Sequence, residues 1–408
     1  MTLANFRVPY SYLRQQFQPD GELARDILRG IEEELKYGRF TLGPAVEEFE
    51  AAFASACGAR YAVGVASGTD ALALAIRVVT GGTPLHWSVV TVPNSFVATV
   101  GAIYQAGYSH LRFVDVGPDQ LMDRVLANAA IRESQQDPAA IIPVNWAGTP
   151  ARLPDTGGTP VIVDACQSIG ADLDGMRFWG TAMCYSLHPL KNVNVWGDGG
   201  MVVTDDESLA QEIRLLRNHG LRGRDLWVRR GFNSRLHTVQ AIVGLRVLRD
   251  LEQVTEARRH NAAQYDAGLQ GIAGVTLPVR PPGAKSVYHL YTVFVERRDA
   301  LQAYLETAGI ETKVHYPIPL HLQPILTSLG YRRGSFPVAE WQADHTLSLP
   351  IHQYLTEVDV DYVCRQVRTF YAEGEYPPPS VGFEYGGRPA PDELADAEFE
   401  ISAKSHGP

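Results

Sequence analysis

Seven short runs of β-type sequence, several of them apolar at consecutive positions, most limit how this chain can fold. They cover 61–66, 88–92, 111–116, 140–145, 160–165, 182–187 and 200–204. Runs such as AIIPV and VIVDA leave no polar side for water, which suits strands buried on both faces. Helical patterns at 70–79 and 95–106 separate the first three runs. The expected architecture is therefore α/β, a mostly parallel sheet covered by helices.

Ahead of the sheet, 44–56 carries Val46, Phe49 and Phe53 at helical spacing, with Glu47, Glu48 and Glu50 between them and Pro44 in a first turn. Helical patterns return at 206–218 and 238–272, the second long enough to cross between two bodies, which places a domain boundary near 255. Beyond it, YHLYTVFVE (288–296) alternates like a strand, and 299–309 and 357–373 read as helices, the first ending at Gly309. A large domain over 1–255 and a smaller α+β domain over 256–375 are expected. From 376 to 408 the chain is rich in Pro, Gly and acidic residues with no apolar period, as a flexible tail would be.

Composition narrows the function. With 45% hydrophobic and 20% charged residues among 408, the chain has the makeup of a folded protein of two or three domains. Its net charge of -10 repels phosphate backbones, so nucleic-acid partners are not expected. Cys57, Cys166, Cys184 and Cys364 form neither a CxxC pair nor a zinc-like spacing and read as reduced core thiols of a cytoplasmic protein without a metal site. The N-terminal residues lack a basic then apolar leader pattern, and no stretch approaches about 18 apolar residues, so neither secretion nor membrane spanning is expected.

Three features carry chemistry. Ser67-Gly68-Thr69 lies between a buried strand and a helix, where backbone N–H groups and the helix dipole favour an anion such as phosphate. An ordinary helix cap by Ser67 or Thr69 explains the same residues. Asp164 ends an apolar strand, at the sheet edge where open α/β folds bind ligands, although it also suits a turn cap; Gln167 follows three residues later. Lys191 stands among His188, Pro189, Asn192 and a Gly-rich turn instead of on a charged helix face, and a lone lysine is ordinarily a solvated surface residue. The glycines at 197–200 lead into a strand and lack the strand-turn-helix context of a dinucleotide site.

The order of phosphate turn, strand-end Asp and strand-loop Lys resembles the fold-type I pyridoxal phosphate (PLP) enzymes. The resemblance sharpens to the DegT/DnrJ/EryC1/StrS sugar aminotransferases over roughly residues 30–370. It is carried by FTLGPAVEEFE (40–50), VASGTDALALA (65–75), VPNSFVAT (92–99), FVDV (113–116), VDACQSIGA (163–171), SLHPLKN (186–192), GDGGMVVT (197–204), GFNSRLHTVQA (231–241) and HYPIPLHLQP (315–324).

That resemblance implies a fold-type I PLP-dependent transferase with a mostly parallel seven-stranded sheet. Lys191 takes the role of the lysine that bonds covalently to the cofactor and then shuttles a proton, and it acts only when neutral. Asp164 takes that of the carboxylate paired with the pyridine nitrogen; unit charges about 4 Å apart at an effective dielectric near 20 interact by roughly 4 kcal/mol. Phe96 corresponds to the ring stacked on the cofactor, Gln167 to the group bonded to its 3′ oxygen, and Gly68, Thr69 and Ser186 to the phosphate cradle. Asn233 corresponds to a residue that reaches the phosphate of the neighbouring subunit, which implies a homodimer with shared sites. Six arginines, Arg217, Arg222, Arg224, Arg229, Arg230 and Arg235, fall within 19 residues and suit a diphosphate or carboxylate, or else form a solvated basic loop. Arg235, Tyr316 and His321 are candidate substrate contacts. Asn145 and Trp146 depart from the histidine or tyrosine common in relatives, which leaves the substrate pocket open.

The implied activity moves an amino group from glutamate or glutamine to a keto-sugar, nucleotide-linked, in amino-sugar or antibiotic biosynthesis. A keto-cyclitol acceptor of the scyllo-inosose type is the nearest alternative, and a non-catalytic PLP-binding regulator is the alternative of another class. A regulator needs no reactive lysine, and no helix-turn-helix module is left over. Related dehydratases carry histidine in place of the lysine or need clustered cysteines.

Overall fold

The computed structural model describes residues 6–81, 86–133 and 137–372, and the expected tail lies outside them. All seven β-type runs are strands: β1 Tyr61–Val65, β2 Val89–Thr91, β3 Leu111–Phe113, β4 Ala140–Ile141, β5 Ile162–Asp164, β6 Ala182–Ser186 and β7 Gly200–Thr204. Hydrogen-bonded pairing gives one group in the order β1-β7-β6-β5 and another in the order β3-β2-β4. Parallel bridges from Ile141 to Val161 and from Val144 to Asp164 join β4 to β5. The result is a seven-stranded sheet in the order 1-7-6-5-4-2-3.

Only β7 runs against its neighbours β1 and β6. It follows β6 through the loop 187–199 that holds Lys191, and an antiparallel return needs no crossover helix. Each strand of the sheet is almost wholly buried along its length, as the consecutive apolar runs require. Helices α1 Pro44–Ala56, α2 Gly68–Val79, α3 Val97–Gln105, α4 Glu207–Leu216 and α5 Thr238–Leu248 contribute to the same core.

The pattern at 238–272 is two helices instead of one. α5 ends at Leu248, and α6 begins at Leu251 and runs to Leu269. A second apolar core gathers around α6, the strands β8 Tyr291–Val295 and β9 Thr346–Leu349, and the helices α7 Arg298–Thr307 and α8 Glu357–Ala372. Leu251 belongs to the first core and Ala262 to the second, so α6 spans both. Val8 also packs in the second core and bridges Ile310, which carries the N-terminal segment across.

The alternation read in 288–296 does not describe β8, which is buried at all five positions. Tyr291 stacks on Tyr265 of α6 at 4.7 Å, while Phe294 meets Trp341 edge-on at 5.1 Å. Positions three apart in a strand face opposite sides, so both faces are covered. No helix among the described residues is long and apolar enough to cross a membrane.

Two charged residues, one from the polar positions of the 44–56 helix and one from the arginine run, belong to the core. Glu50 on α1 is 5% exposed and Arg217 is 7% exposed. Arg217 donates to Glu50 Oε1 and to Gly64 O, Gly64 N–H donates to Glu50 at 2.9 Å, and Arg214 stands 3.4 Å from the other oxygen. This network staples α1 and the end of α4 to the middle of β1. Removing one partner of a buried pair strands the other charge, at a cost of about 3–5 kcal/mol. Arg217→Met is expected to lose that much in urea unfolding, and the double variant Arg217→Met with Glu50→Gln to recover part of it. A single-variant loss within the noise of a surface substitution contradicts the assignment.

Candidate active site

The predicted residues converge at the C-terminal edge of the parallel strands. β1 delivers Ser67, which caps α2 by accepting the Asp70 N–H at 3.0 Å. That cap uses one donor and leaves the Gly68 and Thr69 amides at the helix mouth, so the capping and anion-binding readings coexist. The turn is wedged tightly. A Cβ on Gly68 would lie 2.7 Å from the Ser186 Cβ, and one on Gly200 would lie 2.2 Å from the Ser67 carbonyl oxygen. Ser186 ends β6, and its Oγ accepts the His188 N–H at 3.3 Å.

β5 delivers Asp164, which is 5% exposed. Thr99 of α3 donates to one carboxylate oxygen at 2.7 Å, and the Cys166 amide donates to the other at 3.2 Å. Ser95 lies within 2.7 Å of the Thr99 hydroxyl and completes a short relay. Among the described residues no cation stands within 4.0 Å of Asp164. A buried carboxylate so placed awaits a positive or donating partner.

Lys191 is half-buried in the loop after β6. Its carbonyl is clamped by the Tyr12 hydroxyl at 2.9 Å and the Asn194 amide at 3.2 Å, and Asn194 is tied to Gln16 at 2.9 Å. Its Nζ lies 3.5 Å from His289 Nε2. Burial pushes the amine below the ordinary lysine range, opposed by the negative forms of Cys166 and Asp164. Burial also drives the Cys166 thiol well up, so it stays protonated.

The Phe96 ring, half-exposed at the mouth of α3, stands 5.6 Å from Tyr316, which in turn meets Trp146 edge-on at 5.6 Å. Burial and the charge of Asp164 push the Tyr316 phenol upward. Gln167 is buried, and its Oε1 accepts the Ala147 amide at 2.7 Å. Asn145 is fully buried and structural, bonded to Ser168 at 2.9 Å and to the Ala151 amide at 2.8 Å. Trp146 instead lines a small cavity with Asn94, Gln120, His315 and Tyr316.

Other candidates lie apart from this group. Asn233 is exposed, its backbone bridging Asn218. Arg235 donates to Asn218 at 3.1 Å. His321 is 1% exposed, bonded to Glu340 at 2.9 Å and packed edge-on to Phe336, so it faces the protein interior. The arginines divide: Arg217 is in the core, Arg229 pairs with Glu212 at 3.1 Å, and Arg222, Arg224 and Arg230 are exposed.

Sequence reasoning did not single out Tyr12, Thr99 or His289. Thr99 stands within the quoted VPNSFVAT run, four residues after Ser95, a helical spacing that places both hydroxyls on one face. Nothing local marks Tyr12 or His289, since their contacts with Lys191 span 179 and 98 residues.

A sequence profile of the DegT/DnrJ/EryC1/StrS aminotransferase family matches residues 22–368. The chain belongs to the DegT/DnrJ/EryC1/StrS aminotransferase family. It is 37% identical over 375 residues to the pleiotropic regulatory protein of Geobacillus stearothermophilus, covering 89% of this chain and 98% of the relative. It is also 37% identical over 358 residues to the dTDP-3-amino-3,4,6-trideoxy-alpha-D-glucose transaminase of Streptomyces venezuelae, covering 86% and 92%. The crystal structure of S. venezuelae DesV in complex with a ketimine intermediate superposes with a TM-score of 0.85 at 37% identity, over 90% of this chain and all of that one.

As a member of this family the protein is a PLP-dependent transaminase. The residues present suit the cofactor at each of its groups. Asp164 offers a buried carboxylate without a cation, the helix mouth at Gly68 and Thr69 offers free amides beside the Ser186 hydroxyl, Lys191 offers a pKa-lowered amine, and Phe96 offers an open aromatic face.

In the cofactor-free transaminase, acetic anhydride labelling of Lys191 across pH is expected to titrate below the ordinary lysine value of about 10.4. The negative charge of Asp164 favours the ammonium form, so Asp164→Asn is expected to move the midpoint further down. An unchanged or upward midpoint in that variant contradicts the described coupling.

Proposed function

We propose that this transaminase moves the amino group of glutamate or glutamine to the ketone of a nucleotide-linked keto-sugar, in a cytoplasmic route to amino sugars. The observation that carries this reading is the convergence of Asp164, Lys191 and the Gly68-Thr69-Ser186 turn on one sheet edge, in a chain that aligns along nearly its whole length with a dTDP-sugar transaminase. Exposed Arg222, Arg224 and Arg230 add guanidinium groups suited to a diphosphate.

Each residue then has a task. Gly68, Thr69 and Ser186 would hold the cofactor phosphate, Phe96 would cover the ring face, and Gln167 would donate to its 3′ oxygen. Asp164, oriented by Thr99 and the Cys166 amide, holds a proton on the pyridine nitrogen. When bound, PLP supplies the electron sink that stabilises charge at the amino-bearing carbon. Lys191 would be the residue that bonds the cofactor covalently, and its neutral amine would carry the proton to and from that carbon. Tyr12 and Asn194 hold its backbone during this exchange.

Asn233, exposed and without a side-chain partner among the described residues, completes the site of a second copy in a homodimer. The exposed Phe40, Leu226 and Trp227 are the apolar surface that such a pairing covers.

Lys191→Ala is expected to abolish borohydride-trapped cofactor, and the wild-type pyridoxamine form to regain visible absorbance only with nucleotide-linked keto-sugars from a panel that includes free keto-sugars and keto-cyclitols. Recovery with a keto-cyclitol alone redirects the acceptor assignment, and a trapped adduct on another lysine removes Lys191 from its role. Mixing Lys191→Ala with Asn233→Ala protomers is expected to restore up to about a quarter of the activity, one intact site among the statistical combinations. Failure to exceed either parent removes the shared-site reading.

A further inference from the structure

His289 belongs to none of the motifs that the transaminase reading uses, yet the structure holds it against Lys191. The segment 286–290 is bound on every side by its main chain. Val287 donates to Gly148 O at 3.0 Å and Leu290 to Ala147 O at 3.2 Å, while Asn192 donates to Val287 O at 2.9 Å. Arg258 donates to Tyr288 O at 3.0 Å and Arg259 to Ser286 O at 2.9 Å. Gly148, at φ +96°, permits this approach, because a Cβ there would lie 2.8 Å from Val287 Cγ2 and 2.9 Å from the His289 amide. The point from which the His289 side chain leaves the backbone is thus fixed independently of any bond the imidazole makes.

That position puts Nε2 3.5 Å from the Lys191 Nζ, at the outer limit of a hydrogen bond, and leaves Nδ1 buried without a partner. Burial first, and then the charge of Arg258 and the positive forms of Lys191, His315 and His188, drive the imidazole well below the ordinary histidine range and keep it neutral. A neutral imidazole has one donor and one acceptor nitrogen, and a neutral amine has two N–H bonds and one lone pair.

We propose that His289 Nε2 accepts an N–H of the free Lys191 amine and so turns its lone pair away from the 286–290 wall and toward the reacting side. The opposite arrangement, Nε2–H donating to the amine, would occupy the lone pair that a base or nucleophile needs. His289 is a positioning residue acting through Lys191, and the inference rests on the assignment of Lys191 as the cofactor-bonding lysine.

The test uses full-length cofactor-free protein and PLP as probe. Rates of borohydride-trappable PLP attachment to Lys191 are measured across pH, alongside acetic anhydride labelling of the same amine. In His289→Phe, which fills the space without an acceptor, the high-pH plateau of both rates is expected to fall about 10-fold or more through lost orientation. In His289→Gln, whose amide oxygen reaches the place of Nε2, most of the plateau is expected to return. A purely structural histidine would lower the melting temperature without a plateau loss that glutamine rescues. If the phenylalanine variant does not fold, His289→Asn, polar but too short to reach Nζ, is expected to show the same slow plateau. Wild-type rates in the Phe or Asn variant overturn the proposal, and so does a Gln variant as slow as they are. Lys191→Ala separates the two levels: loss of trapping there with normal rates in His289→Phe removes only the His289 role, whereas trapping that survives Lys191→Ala removes the reading beneath it.

Discussion

The carboxylate of Asp164, buried at the end of β5 with two hydrogen bonds and no cation within 4.0 Å among the described residues, is the constraint around which the sheet edge is organised. Ionised carboxylates leave water only at considerable cost, and two donors do not replace a full hydration shell. The fold meets part of that cost from three directions: the Thr99 hydroxyl from α3, the Cys166 amide from the turn after β5, and a rigid backbone position. Asp164 N–H donates to Pro143 O and its carbonyl accepts from Asn145, both at 2.9 Å, which locks β5 to the end of β4. The remainder of the cost is left to whatever occupies the site, and under the proposed function a protonated ring would meet it.

The same energetics decide what the sequence reveals. Strands buried on both faces show as consecutive apolar residues, so all seven are visible, and a charged residue ending such a run stands out, as Asp164 does. Lys191 is legible because it lies in a Pro and Gly context where a solvated helix face is impossible. Glu50 and Arg217 are not, because each taken locally is an ordinary polar position on a helical pattern, and only their meeting across 167 residues makes burial tolerable. The arginine run divides for a related reason: Arg217, Arg229 and Arg235 have partners of their own, and Arg222, Arg224 and Arg230 are left exposed. His321 is an instance of the opposite error, a polar residue in a substrate-like motif that the fold uses to bind Glu340 in the interior.

The N-terminal segment shows how the two cores are held in register around one amine. Val8 enters the second core, the Pro9 carbonyl lies 3.2 Å from His352 Nε2, and four residues after Val8 the Tyr12 hydroxyl grips the Lys191 carbonyl. Arg258 of α6 is fully buried beneath Tyr12, its guanidinium carbon 5.2 Å from the ring centre, and donates to carbonyls at Tyr288 and Ile351. A crossing segment that satisfies carbonyls from both bodies cannot slide without leaving buried polar groups unpaired, and that penalty makes the relative position of the cores stiff.

Stiffness between the cores is what lets an ordinary side chain become reactive. Nothing in the loop 187–199 by itself would depress a lysine; exposed, its amine would be protonated at neutral pH. The depression comes from burial, and part of the wall that buries Lys191 is the segment 286–290, which packs Leu290 into the first core and leads into β8 of the second. Asp164 pulls the other way, since its negative charge favours ammonium. The proton on Lys191 is therefore set by a contest between a wall that both cores help to hold and a carboxylate of the large sheet. A displacement of the wall that admits water would return the amine toward its ordinary value even with every residue of the large sheet in place. In this fold the docking of the second core therefore bears on the protonation of Lys191.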